Sequence, residues 1–306
     1  MADYSQYQGP NPDWEAFTQT AVVPPVGLNA GESPENYRLA RNSLRASASR
    51  IELESEGLAE KVSWDDTEIP TRDNSTISAR IYRPRDDIAD STPLPVYLFF
   101  HGGGYLFGGI DTENATCSRL IASASSPLIV VHASYRHTPH FKYPTPQNDA
   151  WDAFLWLTRN ICSLGGDSNR VVVGGISSGG GLAASVVLRA QEAKLPVDQG
   201  LCIIGQLLMI PWLIPTKTYP FHLLKSPDIS SYVQNIHAPN LPRKQLEMFV
   251  DLLDAPDSCF ADRLLCPPLA PNQKLKGLPK TAVVVAGMDP LRDEALLYVD
   301  KLTDNG

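Results

Sequence analysis

Val171-Val172-Val173-Gly174-Gly175-Ile176-Ser177-Ser178-Gly179-Gly180-Gly181 is the stretch that decides the fold. A β-branched apolar run ends in a serine bracketed by Gly175 and Gly179, and a helix-like stretch, Gly179–Lys194, follows. Gly175 and Gly179 permit the close approach that a tight strand-to-helix corner demands, and Gly180 and Gly181 let the helix pack near the strand. Such a corner lifts the serine hydroxyl clear of the backbone, and the helix N-terminus behind it favours negative charge developing nearby. A serine has no special reactivity until geometry and a base provide it. Ser177 is therefore the candidate nucleophile. A glycine-rich turn with an incidental serine is the plainer alternative; the placement between an apolar strand and an amphipathic helix argues against it.

Two further segments carry chemistry. His101-Gly102-Gly103-Gly104 follows the apolar run Val96–Phe100, and consecutive glycines let backbone N–H groups converge on one point, as an oxyanion hole requires. Gly103 and Gly104, joined by the N–H of Ser178, are the expected donors. His101 is expected to hold the loop by hydrogen bonding and not to act as a base. Asp289, in Gly287-Met288-Asp289-Pro290-Leu291-Arg292-Asp293-Glu294, follows the run Thr281–Val285. A carboxylate at a strand's C-terminal end can orient a histidine and stabilise its charged form, although a turn or cap role before Pro290 also suits it. Asp293 and Glu294 have the position of first-turn helix charges.

Outward from these motifs, short apolar strands alternate with longer amphipathic helices from Leu94 onward, the pattern of a parallel sheet buried on both faces. The expected strands are Val96–His101, Leu128–Ser134, Arg170–Gly175, Leu201–Met209 and Thr281–Ala286; the expected helices are Asp111–Ala124, Pro146–Ser163, Gly179–Lys194 and Asp293–Thr303. Trp64–Thr71 and Thr76–Arg83 read as two strands split by the turn Asp73-Asn74-Ser75. Pro34–Leu58 is helical in pattern. The Pro-rich interval 211–279 interrupts the alternation and reads as an insertion above the sheet. The chain is thus expected to be one domain over 1–306, with cap elements at about 12–60 and 211–279 and a core at about 61–210 and 280–306.

The 306 residues suffice for one large core, and 43% hydrophobic with 20% charged residues is the composition of an ordinary globular protein. A formal net charge of −8 argues against a nucleic-acid partner, which needs a basic surface. No stretch is long and apolar enough to span a membrane, and Met1–Trp14 lacks the basic start and apolar run of a secretory signal. Five dispersed cysteines, at 117, 162, 202, 259 and 266, read as buried, reduced thiols. Cytoplasmic residence is expected on these grounds. No metal is expected, since acidic and imidazole side chains are not clustered at ligand spacing.

His101-Gly-Gly-Gly, Tyr135-Arg136…Pro139, Gly-Ile-Ser177-Ser-Gly-Gly and Asp289-Pro-Leu-Arg-Asp together resemble the hormone-sensitive-lipase-like group of esterases. The resemblance covers roughly residues 60 to 306 and has the flavour of esterases from fungal secondary-metabolite clusters. It implies an α/β-hydrolase fold, a mostly parallel central sheet flanked by helices under a helical cap. It implies hydrolysis of small or medium carboxylic esters without a cofactor. On this chain the group's nucleophile falls on Ser177, its acid on Asp289 and its oxyanion donors on Gly103, Gly104 and Ser178. Ile176 and His140 depart from the group's usual residues.

A third departure concerns the base, which in this group follows the acid in chain order. No histidine follows His237. His132, His137 and His140 suit structural roles, whereas His222 and His237 belong to the insertion and could reach over Ser177. Without the base, activity falls to the residue left by binding and the oxyanion hole. The expectation is a shortened sequence, with an apolar strand and a histidine-bearing loop following Gly306. A partner covering the open edge of Thr281–Val285, a second copy in a homodimer included, is another explanation, since unpaired edges invite pairing. The third is a catalytically impaired relative that binds a small apolar ligand.

Overall fold

The computed structural model describes residues 1–21, 26–85, 92–193 and 200–306. Seven strands form one sheet: β1 (Val62–Pro70), β2 (Thr76–Pro84), β3 (Leu94–Phe100), β4 (Ile129–Ala133), β5 (Gly166–Ile176), β6 (Ile203–Met209) and β7 (Lys280–Val284). Their spatial order is β1-β2-β4-β3-β5-β6-β7. The β1–β2 and β2–β4 pairs are antiparallel, and β4, β3, β5, β6 and β7 run parallel to one another. The helices are α1 (Pro12–Thr20), α2 (Pro34–Ser55), α3 (Leu58–Lys61), α4 (Asn114–Ser123), α5 (Thr145–Asn160), α6 (Ser178–Ala193), α7 (Ser231–Gln234), α8 (Arg243–Leu253), α9 (Asn272–Leu275) and α10 (Arg292–Asp304).

The central strands are apolar on both faces because both faces are covered. Val96, Leu98 and Phe100 of β3 join Val171 and Val173 of β5 in the larger core, with Ala153, Phe154 and Leu157 of α5 and Ala183, Val187 and Leu188 of α6. The alternate residues Tyr97 and Phe99 pack with Tyr82, Val130, Cys117 and Ile121 on the opposite face. Fully burying one such large side chain stabilises the fold by roughly 1.5–3 kcal/mol. At the far edge the pattern differs: Lys280, Ala282 and Val284 of β7 are exposed, Val284 by 49%.

Most element boundaries agree with the sequence to within a few residues, and the differences have local causes. α4 begins at Asn114, not Asp111, because Glu113 is the N-cap (φ −114°), accepting from Cys117 N–H through its backbone and from Arg45 through its carboxylate. α6 starts at Ser178 and is described to Ala193; Lys194 of the expected helix lies outside the described residues. β7 ends at Val284, before the corner that carries Asp289. Between β6 and β7 lie short 3-10 turns and α7, α8 and α9, the prolines at 215, 220, 227, 242, 256, 267 and 271 flanking or starting these elements. The cysteines are not uniformly buried: Cys117 and Cys266 are, whereas Cys162 and Cys202 are exposed and Cys259 is intermediate. No disulfide joins them. Among the described residues, no helix is long and apolar enough to cross a membrane.

Candidate active site

Ser177 occupies the residue between β5 and α6 with φ at 53°, a left-handed conformation that costs a non-glycine residue about 1–3 kcal/mol. Neighbouring backbone holds it there. Its N–H donates to Met209 O at 2.9 Å, and its own carbonyl accepts from Trp212 N–H at 2.9 Å and Gly181 N–H at 3.1 Å. The corner is closed enough to exclude side chains: a Cβ on Gly179 would lie 2.2 Å from Phe100 O, and one on Gly175 would lie 2.5 Å from both Phe100 O and Gly179 O. Ile210, just beyond β6, is also left-handed (φ 41°), an unusual state for a β-branched residue.

The glycine turn after β3 folds over this corner. Gly103 adopts φ 135°, and a Cβ there would meet Phe107 O at 1.8 Å. Leu106 and Phe107 N–H groups both donate to Gly103 O, at 3.0 and 3.1 Å, closing the turn on itself. Gly104 N–H donates to Ser178 Oγ at 3.0 Å. Tyr135 Oη lies 3.1 Å from the same hydroxyl and donates to His101 O at 3.0 Å. Among the described residues, Gly103 N–H and Ser178 N–H have no protein acceptor. His101 is buried, with Nδ1 2.9 Å from Gly102 O and its ring stacked on Tyr135 at 4.5 Å. Burial, with His137 and His132 adding smaller effects, holds its pKa well below the usual histidine value.

Asp289 follows β7 at the cavity wall, where Oδ1 accepts from Leu291 N–H at 2.9 Å. Burial pushes its carboxyl up to about 6, opposed by the Leu291 hydrogen bond and by Arg292. The next two acids occupy the first turn of α10 but are not exposed charges. Asp293 is buried against Arg292 and accepts from Ser231 N–H at 2.7 Å. Glu294 is buried and accepts from Leu213 and Ile214 N–H at 2.6 and 3.1 Å. Burial raises its pKa well above the ordinary glutamate value.

Ser177, Gly103, Gly104 and Asp289 line one cavity of about 840 Å³. No histidine is among its described lining residues. His132 is buried in β4, and burial lowers its pKa and that of His137 to about 3. His140 is exposed and pairs with Glu35. His222 and His237, the insertion's candidates to reach over the serine, are exposed and stand away from the cavity wall, although Ala238 lies on it. Helix α2 adds Arg41 and Arg45 to the wall, the N-terminal segment adds Asn11 and Trp14, and α8 adds Gln245 and Phe249. Sequence reasoning did not single these out. The Arg38, Arg41, Arg45 spacing on one helix face was the available signal. No group of three metal-ligating side chains occurs among the described residues.

A family profile for the α/β-hydrolase fold matches residues 97–306. The chain belongs to that family. This hydrolase-fold chain is 33% identical over 239 residues to the esterase LipI of Mycobacterium tuberculosis, spanning 75% of itself and 66% of that relative's length. It is 28% identical over 235 residues to a gibberellin receptor of Oryza sativa subsp. japonica, with 72% of this chain and 59% of the receptor covered. Among solved structures, an esterase of Pyrobaculum calidifontis superimposes with a TM-score of 0.76 at 27% identity, covering 97% of this chain and 86% of that one.

Proposed function

We propose that this α/β-hydrolase acts as a serine carboxylesterase, forming an acyl-enzyme at Ser177 on a small or medium apolar ester. The convergence of Ser177, Gly103, Gly104 and Asp289 on one cavity carries the reading. Similarity to LipI and to the P. calidifontis esterase supports it. Ser177 Oγ attacks the ester carbonyl, and the carbonyl oxygen takes up negative charge. The amides of Gly103 and Ser178 donate to that oxygen, and Gly104 N–H is shared between it and Ser178 Oγ. Collapse expels the alcohol, and water then releases the acid by the same route.

The proton taken from Ser177 needs an imidazole oriented by Asp289. None of the six histidines is among the described residues that line the cavity, so the reading requires an imidazole that these six do not supply. It also treats 1–306 as one domain with cap elements at about 12–60 and 211–279, in the cytoplasm, cofactor-independent, free to pair as a homodimer, and acting on an ester of secondary metabolism.

The test is to incubate the chain with a p-nitrophenyl acyl ester and added imidazole, then weigh it. An acyl adduct on Ser177 that disappears in Ser177→Ala is the expected result. A chain that binds apolar ligands but never acquires the adduct overturns the esterase reading. That outcome favours a ligand-binding protein, a second reading motivated by the similarity to a gibberellin receptor and by the lack of a histidine among the described residues of the cavity wall.

A further inference from the structure

Helix α2 presents Arg38, Arg41 and Arg45, spaced three and four residues apart and so on one face. The outer two have carboxylate partners: Arg38 pairs with Glu35, and Arg45 with Glu113. Arg45 also reaches Gly102 O at 3.4 Å. The middle one does not. Among the described residues Arg41 has no hydrogen-bond acceptor and no ion pair, and its Nε is buried with no partner. Its guanidinium lies 5.9 Å from the Phe107 ring centroid, a ring it shares with Arg45 at 5.6 Å. An aromatic face attracts a cation but does not satisfy its N–H donors, and the neighbouring guanidinium repels it.

Arg41 lines the same cavity as Ser177. The surrounding wall is largely apolar, including Trp14, Phe107, Leu241, Phe249 and Val285. Asp289 is the only acidic side chain among the described lining residues, and it accepts from Leu291 N–H, not from Arg41. A guanidinium whose Nε–H is buried without a partner among the described residues, at the edge of an apolar cavity, is unfavourable alone, and the edge that carries Nε is matched in shape by a carboxylate, which takes two parallel N–H bonds.

We infer that Arg41 binds a carboxylate of the ligand, so that the cavity takes a short monoester of a dicarboxylic acid in preference to a neutral ester of equal length. The ester part rests on the hydrolase reading above; the carboxylate part rests on Arg41 alone.

The test measures binding by titration calorimetry at neutral pH. Monomethyl succinate, glutarate and adipate are compared with methyl butyrate, valerate and hexanoate, in which a methyl replaces the carboxylate. At one or more lengths the half-ester should bind about tenfold more tightly, the size expected of a charge-assisted pair in a partly desolvated site. In Arg41→Met the ratio of the two affinities should fall to about one, and Arg41→Lys, a point charge without the planar fork, should keep about threefold. A ratio of one or less at every length in the unaltered chain, no binding of any half-ester, or a ratio unchanged in Arg41→Met overturns the inference. Acylation of Ser177, followed in parallel, separates the two claims. Acylation without anion preference removes only the Arg41 assignment; anion preference without acylation upholds Arg41 and removes the esterase reading.

Discussion

The amide of Gly104 donates to Ser178 Oγ at 3.0 Å, the first link in a chain of four groups whose direction is fixed by its last link, to a carbonyl. An amide can only donate and a carbonyl can only accept. Tyr135 Oη donates to His101 O at 3.0 Å, so its single proton is spent, and the 3.1 Å contact with Ser178 has the serine as donor. The order is Gly104 N–H to Ser178 O–H to Tyr135 O–H to His101 C=O. The first and last residues of the His-Gly-Gly-Gly turn are thereby clamped to the residue after the nucleophile.

Removing either hydroxyl breaks this chain. Ser178→Ala and Tyr135→Phe should each lower stability by about 1–2 kcal/mol, since each leaves a buried polar group without its partner. The double variant should lose less than the sum, because the second change removes a group already orphaned by the first. Urea denaturation of the four proteins measures this, and strict additivity would show that the hydroxyls act separately.

Gly103→Ala introduces a Cβ 1.8 Å from Phe107 O at φ 135°, so the turn must open. The expected cost is about 2–4 kcal/mol from strain and overpacking together. Acylation of Ser177 should slow by about 100-fold, as when one oxyanion donor is lost. Unfolding curves and timed mass spectra check the two effects; an unchanged acylation rate would remove Gly103 from the hole.

Asp289, raised to about 6 by burial, makes stability depend on pH in a definite sense. The folded state binds this proton more tightly than the unfolded chain, whose carboxyl titrates near 4. Its contribution is therefore fully present below about pH 4 and is lost as pH rises through about 6. Asp289→Asn cannot ionise, so its advantage over the unaltered chain should grow by about 2 kcal/mol between pH 4.5 and 7.5. Guanidinium unfolding of both proteins at the two pH values tests it, and a constant difference would contradict the shift.

Glu294 serves two backbone amides, Leu213 and Ile214, at the start of the insertion. Glu294→Ala should destabilise by about 2–4 kcal/mol by leaving both unpaired, whereas Glu294→Gln keeps an acceptor and should cost about 1 kcal/mol. Thermal melts of the pair distinguish this role from that of a first-turn surface charge, for which both changes would be small.

Local sequence was enough to determine the strand–Ser177–helix corner, the glycine turn at 102–104 and the parallel alternation from Leu94 onward. In each of these the signal is short-range, either glycine's freedom to enter a tight corner or the spacing of apolar residues, so neighbours in the chain carry the information. Only the tertiary structure decided that Glu294 and Asp293 are buried hydrogen-bond acceptors, that His222 and His237 stay off the cavity wall, and that Arg41 lines the cavity with no hydrogen-bond acceptor among the described residues. Those properties depend on which distant segments meet. Leu213 reaches Glu294 across 81 residues and Glu113 reaches Arg45 across 68, contacts that no local pattern encodes because long-range packing selects them.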